Sequence, residues 1–77
     1  MIIEVIEDRY DGAYSTGRWL AVAGETEQII RQRLAWVVAH GPGGDDREAA
    51  EFWVDPPKWI AAADTAETAI ERLKSRD

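Results

Sequence analysis

Short apolar runs alternate with polar, glycine-bearing connections along this chain. Ile2-Ile3-Glu4-Val5-Ile6-Glu7-Asp8 is rich in β-branched residues and reads as a first strand. Side chains alternate across a strand, so Ile3 and Val5 point one way and Ile2, Glu4 and Ile6 the other. Neither face is wholly polar, which predicts a strand covered on one side and partly flanked on the other. Arg18-Trp19-Leu20-Ala21-Val22-Ala23-Gly24 alternates again, with Trp19, Ala21 and Ala23 on one face and Leu20 and Val22 on the other. Residues 9–17 join the two. Asp11-Gly12 is a turn pair, because glycine accepts a positive φ at no steric cost, and Ser15-Thr16-Gly17 closes the connection. The economical reading is an antiparallel hairpin with a wide loop clamped by Tyr10 and Tyr14.

The period then changes. Glu25-Thr26-Glu27-Gln28 opens a helix, with acids at the positive end of its dipole. Ile30, Leu34, Val37 and Val38 recur at i, i+4, i+7 and i+8 as its apolar stripe, with Arg31 and Arg33 facing away. His40-Gly41-Pro42-Gly43-Gly44 ends it. Composition alone also allows Trp36-Val37-Val38-Ala39 to be a strand. Residues 45–54 carry two signals: Asp45 or Asp46 caps a helix with Glu48 in its first turn, whereas Phe52-Trp53-Val54 suits a strand. A short helical turn running into extended chain reconciles them, and Asp55-Pro56-Pro57 ends the segment. Lys58-Trp59-Ile60-Ala61-Ala62-Ala63 reads as a further strand. Asp64-Thr65-Ala66-Glu67 has the pattern of a capping box, with Asp64 as the cap, opening a last helix. That helix has Ala66, Ala69, Ile70 and Leu73 on one face, and Lys74 and Arg76 at its negative end. The pattern predicts one α+β domain over residues 1–77. Its sheet is small and antiparallel, of three to four strands, packed by two helices in the order β-loop-β-α-β-α.

With 77 residues and no cysteine, this domain has no disulfide staple and none of the Cys-containing zinc patterns. A chain of this size buries only about 60% of its unfolded surface. Large side chains must therefore supply the core, which accounts for four tryptophans: Trp19, Trp36, Trp53 and Trp59. The other use of such a residue is as an exposed anchor for a partner. The formal net charge is −6, from 15 acids and 9 bases. That excess argues against backbone-led nucleic-acid binding and against adhesion to anionic membrane, and is compatible with a basic protein partner. No apolar run reaches the length of a membrane span, and Met1-Ile2-Ile3-Glu4 lacks the charged and apolar regions of a signal peptide, so the expected address is the cytoplasm of a host cell.

No catalytic arrangement stands out, and neither cofactor nor metal is expected. His40 is the only histidine and has no nucleophile or acid in a triad-like context. Gly41-Pro42-Gly43-Gly44 lacks the Gly-Lys-Ser/Thr ending of a phosphate loop and is followed directly by acids. Asp45, Asp46, Glu48, Glu51 and Asp55 form the densest acidic group, without the spacing of an EF-hand. Glu4, Glu7, Asp8 and Asp11 form a second group on the first strand and its loop. Either these are solvated faces, or the fold joins them into a negative surface that imitates nucleic-acid phosphates and is steered towards a basic groove. Tyr10 and Tyr14 either rigidify their loop or offer rings and hydroxyls to a partner. Arg9 and Arg18 are candidate internal partners for the acids beside them.

Asp8-Arg9-Tyr10-Asp11-Gly12-Ala13-Tyr14-Ser15-Thr16-Gly17-Arg18-Trp19-Leu20-Ala21 resembles a Tyr-x-Gly-x-Tyr-Ser-x-Gly-x-Trp segment of short bacterial and mobile-element proteins. Their later Glu-Phe-Trp and Asp/Asn-Thr-x-Glu segments resemble Glu51-Phe52-Trp53 and Asp64-Thr65-Ala66-Glu67. In size and acidity the chain also looks like phage anti-CRISPR proteins of type I systems, many of which block the DNA-binding groove of the surveillance complex. The closing helix after a strand is similar to that of small HicB-like antitoxins, although their glycine-tyrosine strand pattern is missing.

These resemblances imply a non-enzymatic inhibitor that blocks target DNA binding. Its partner would be a protein with a basic surface, a CRISPR surveillance complex being the concrete case, and it would bind no nucleic acid directly. Glu7, Asp8, Tyr10, Asp11, Tyr14, Asp45, Asp46, Glu48 and Glu51 are the expected partner-binding residues. Reversing Asp45, Asp46 and Glu48 to lysine is expected to abolish binding without unfolding. The alternative is an antitoxin-like regulatory module that binds one protein and pairs through a sheet edge. The chain is expected to be a monomer or a homodimer.

Overall fold

The computed structural model describes residues 1–76. Strand β1 (Ile2–Glu7) pairs antiparallel with β2 (Trp19–Gly24), and β2 pairs antiparallel with β3 (Ile60–Ala63), giving a sheet of three strands with β2 in the middle. Between β2 and β3 come α1 (Glu27–Ala39), a 3-10 turn at Gly41–Gly43 and α2 (Asp46–Phe52); α3 (Ala66–Lys74) follows β3. The α+β class and the hairpin with its long loop are as the alternation predicts. The short element between α1 and β3 is a helix in its own right.

Alternation in the strands decides the layers. Leu20, Val22, Ile60 and Ala62 face α1 and pack with its Ile30 and Val37, supported by Ile2, Ile6, Leu34, Phe52, Trp53 and Trp59. Ala21, Ala23, Ala61 and Ala63 face α3 and pack with Ala69 and Leu73, supported by Ile3, Val5 and Ile70. The sheet is thus the middle of three layers. Burying a large aliphatic side chain such as Leu20 or Val37 contributes about 1.5–3 kcal/mol each, so the α1 side supplies most of the hydrophobic stabilisation.

The Trp36–Ala39 stretch is helical, as the apolar stripe predicts, and completes α1 as far as its C-cap His40. Four local expectations are corrected. Val38 does not join the apolar stripe; it is 63% exposed, because the stripe narrows where the 3-10 turn takes over the packing. Arg33 does not face away. Its Nη1 donates to the Ala23 carbonyl and its guanidinium lies 4.9 Å from the centre of the Trp59 ring. Phe52 ends α2 and Trp53 is its C-cap in right-handed helical conformation, so no extended segment forms there. Thr65, not Asp64, caps α3: its Oγ1 accepts from Thr68 N–H at 3.1 Å and lies 2.8 Å from the Thr68 hydroxyl. The one-residue shift places Thr68 rather than Glu67 at the third helical position, and two hydroxyls replace the expected carboxylate.

Among the described residues no helix is long and apolar enough to cross a membrane.

Candidate functional site

The loop between β1 and β2 is held from within by Asp8. Its backbone N–H donates to the Arg18 carbonyl at 2.7 Å, continuing the ladder one residue beyond β1. Its Oδ2 accepts from Gly12 N–H at 2.8 Å and lies 3.2 Å from the Ser15 hydroxyl. That hydroxyl also reaches the Gly17 carbonyl at 2.6 Å. Asp8 is 7% exposed, so it is part of the loop's interior, and its Oδ1 has no hydrogen-bond partner among the described residues. The tight path requires positive φ at Asp11 (53°), Gly12 (89°) and Thr16 (69°). Asp tolerates this region and glycine is made for it, whereas a β-branched threonine is strained there.

Three side chains bolt the loop to the segment that follows α1. Arg9 Nη1 donates to the carbonyls of Gly43 at 2.8 Å and Gly44 at 2.9 Å. The Tyr10 hydroxyl donates to the Gly44 carbonyl as well, with the Arg9 guanidinium 5.3 Å from the Tyr10 ring centre. Tyr14 meets Tyr10 edge-on at 5.3 Å and donates its hydroxyl to Asp46 Oδ1 at 3.1 Å. Arg9 therefore serves backbone carbonyls rather than a neighbouring acid. Arg18 does pair as expected, with Asp11 at 3.2 Å on the open surface.

The clamp seats the loop that carries Asp11 against the start of α2, where Asp45 and Asp46 lie, whereas Glu4 stays in the middle of β1 and Asp8 is enclosed. Asp45 caps α2, its Oδ1 accepting from Glu48 N–H at 2.8 Å, and Glu48 returns Oε1 to Asp45 N–H at 3.5 Å. Glu48 Oε2 also lies 3.7 Å from His40 Nδ1. Glu51 pairs with Arg47 at 3.1 Å one helical turn away. Glu7 is exposed at the end of β1, beside a groove formed by Ile6, Val38 and Pro42. Arg9, Arg18 and Arg47 lie among these acids, and three further cations gather elsewhere. Arg33, Lys58 and Arg76 share a cleft with Met1, Gly24 and Trp59, at the opposite end of the sheet.

Of the four tryptophans, Trp19, Trp53 and Trp59 are half-buried and Trp36 is 44% exposed. Trp36 lies 5.8 Å from the Phe52 ring and 6.2 Å from the His40 ring. With Phe52, Gly41, Glu48 and Glu51 it lines a shallow open groove. The acidic end thus holds an aromatic floor with carboxylates at its rim. Sequence reading gives an exposed tryptophan as the alternative to core packing, without saying which. The signal that picks out Trp36 is its place one position before the buried Val37 of α1, outside the 3.6-residue stripe.

Among the described residues no group of three or more His, Asp or Glu side chains is arranged to hold a metal ion. Compared with family models, with curated proteins and with solved structures, the chain finds no match.

Proposed function

We propose that this domain is a non-enzymatic inhibitor that binds a basic, nucleic-acid-handling protein through its acidic end. The observation that carries the reading is Trp36, exposed on a groove rimmed by Glu48 and Glu51. Interfaces draw most of their affinity from a few aromatic anchors, while surrounding charges set encounter rate and partner choice. Trp36 and Phe52 supply the anchor. Asp11, Asp45, Asp46, Glu48 and Glu51 supply the field. The Arg9, Tyr10 and Tyr14 clamp limits the ordering cost of binding, because the loop is already fixed. The class of partner is the groove of a nucleic-acid effector, with a type I CRISPR surveillance complex as the concrete case.

The test is a pull-down of the tagged chain against purified type I surveillance complex, with and without target DNA, at low and high salt. Salt-sensitive binding that DNA competes away supports the proposal; absence of binding overturns it for that complex. Lysine reversal of Asp45 and Glu48 is a poor probe, since it also removes the capping box of α2. Asp45→Asn, Asp46→Asn, Glu48→Gln and Glu51→Gln remove charge while Asn and Gln keep the cap. The four together are expected to weaken binding at least tenfold at low salt. Trp36→Gln is expected to weaken it at all salt concentrations.

A further inference from the structure

The two edges of the sheet are finished differently. Asp8 N–H donates to Arg18 O at 2.7 Å and Ala23 N–H to Trp59 O at 2.8 Å, which fixes the parity of both ladders. Counting in twos, Ile2, Glu4 and Ile6 bond to β2, while the backbone groups of Ile3, Val5 and Glu7 point to the open edge of β1. On β3 the outward groups are those of Ile60 and Ala62. That edge is covered: Arg72 Nη1 donates to the Ala62 carbonyl at 2.7 Å and Arg76 Nη1 to the Ile60 carbonyl. On β1 no strand or side chain of the described residues takes the outward groups. The strand has no proline, bulge or lysine to blunt it; of the devices that keep open edges apart it carries only the charges of Glu4 and Glu7, which act according to what they face.

We propose that the β1 edge pairs antiparallel with β1 of a second copy of this chain, about a two-fold axis at Val5, joining two three-stranded sheets into one. The glutamates select that register. With the axis at Val5, Glu4 faces Ile6 and Glu7 faces Ile3 of the second copy, so no acid within the strand faces another. An axis at Glu4 sets Glu4 against itself, and one at Ile6 leaves Ile2, Ile3 and Glu4 opposite loop residues rather than strand. Like charges directly opposite are destabilising. An axis at Ile3 leaves the second half of the strand unpaired. Apolar cover points the same way. Ile2, Ile3, Val5 and Ile6 are only half-buried, on both faces of the strand. In the Val5 register the start of one β1 runs beside the end of the other. Met1 and Ile2 of the second copy then come beside the groove of Ile6, Val38 and Pro42, where Met1 and Val38 are 64% and 63% exposed in the single chain.

Sedimentation equilibrium of the full chain, from micromolar to near-millimolar concentration, is expected to reach twice the 8.6 kDa of one chain. The chain has no cysteine, so single thiols report the register cleanly. Facing residues of a hydrogen-bonded antiparallel pair have Cα atoms about 5.5 Å apart, within disulfide reach. Val5→Cys is expected to cross-link under mild oxidation at least tenfold faster than Glu4→Cys, whose two copies stand offset along the strands. A monomer mass at every concentration overturns the proposal. So does cross-linking of Glu4→Cys as fast as, or faster than, Val5→Cys.

Discussion

Tyr14 and Asp46 lie far apart in the chain and meet at 3.1 Å, phenol to carboxylate, where the hairpin loop touches the start of α2. The hydrogen bond to Asp46, reinforced by the negative charge of that carboxylate, raises the Tyr14 pKa from its ordinary 10.0. The neutral phenol is the form that the fold favours. The contribution of this contact is therefore complete below the unfolded pKa and is lost as pH rises through the higher folded value. Ultraviolet titration of a Tyr10→Phe background should show Tyr14 ionising above the normal range, and Asp46→Asn should bring it back down.

Gly17 sits against the end of β3. A Cβ there would lie 2.4–2.5 Å from the backbone of Ala63, which cannot move without breaking the pairing of Ala63 with Trp19. Gly17→Ala is expected to cost about 3 kcal/mol or more, most of the stability of a small domain. Circular dichroism with urea titration reads this directly.

The two arginines on the β3 edge should matter for stability and for solubility. Arg72→Ala and Arg76→Ala are each expected to cost about 1 kcal/mol, the worth of a charge-assisted bond discounted for partial exposure. The double variant also opens a second edge, so it should aggregate during thermal unfolding where the parent refolds. Light scattering during the melt separates the two effects.

Asp8 and Asp11 are three positions apart and should behave oppositely. Asp8→Ala removes a buried acceptor for Gly12 N–H and leaves the Ser15 hydroxyl short of a neighbour, for an expected loss of about 2 kcal/mol. Asp11→Ala removes an exposed pair with Arg18 and should cost less than about 0.5 kcal/mol. Chemical denaturation of the two variants under identical conditions gives the comparison.

Local rules carried the strands, the hairpin and the existence of α1 and α3. Alternation put Ile3 and Val5 on one side and Leu20 and Val22 on the other, as the packing has it. Two of the misses depend on contacts outside their own segment. Arg33 looked solvated on a helical projection, yet the turn of the chain into α1 carries it back to Ala23 and Trp59. Nothing near Arg9 announces that its guanidinium serves the carbonyls of Gly43 and Gly44. Asp8 counted as a surface acid because composition does not register that a loop can close around its own carboxylate. Likewise Phe52 and Trp53 have strand-like composition, but a capping box seven residues earlier had already committed the segment to helix.

The alanine layer between the sheet and α3 sets the direction in which this sequence can drift. Ala21, Ala61, Ala63 and Ala69 are wholly enclosed, and Ala23 nearly so. Alanine is the smallest side chain that still has a Cβ, so nothing there can shrink without introducing glycine into a strand or helix. Each added methylene must wedge the helix off the sheet, at about 1–3 kcal/mol. The α1 side, built of Leu, Val and Ile, can exchange volume among its members at lower cost. A saturation library should therefore return two unlike halves: a permissive α1 side where many aliphatic combinations survive, and an α3 side frozen at the residues it has now.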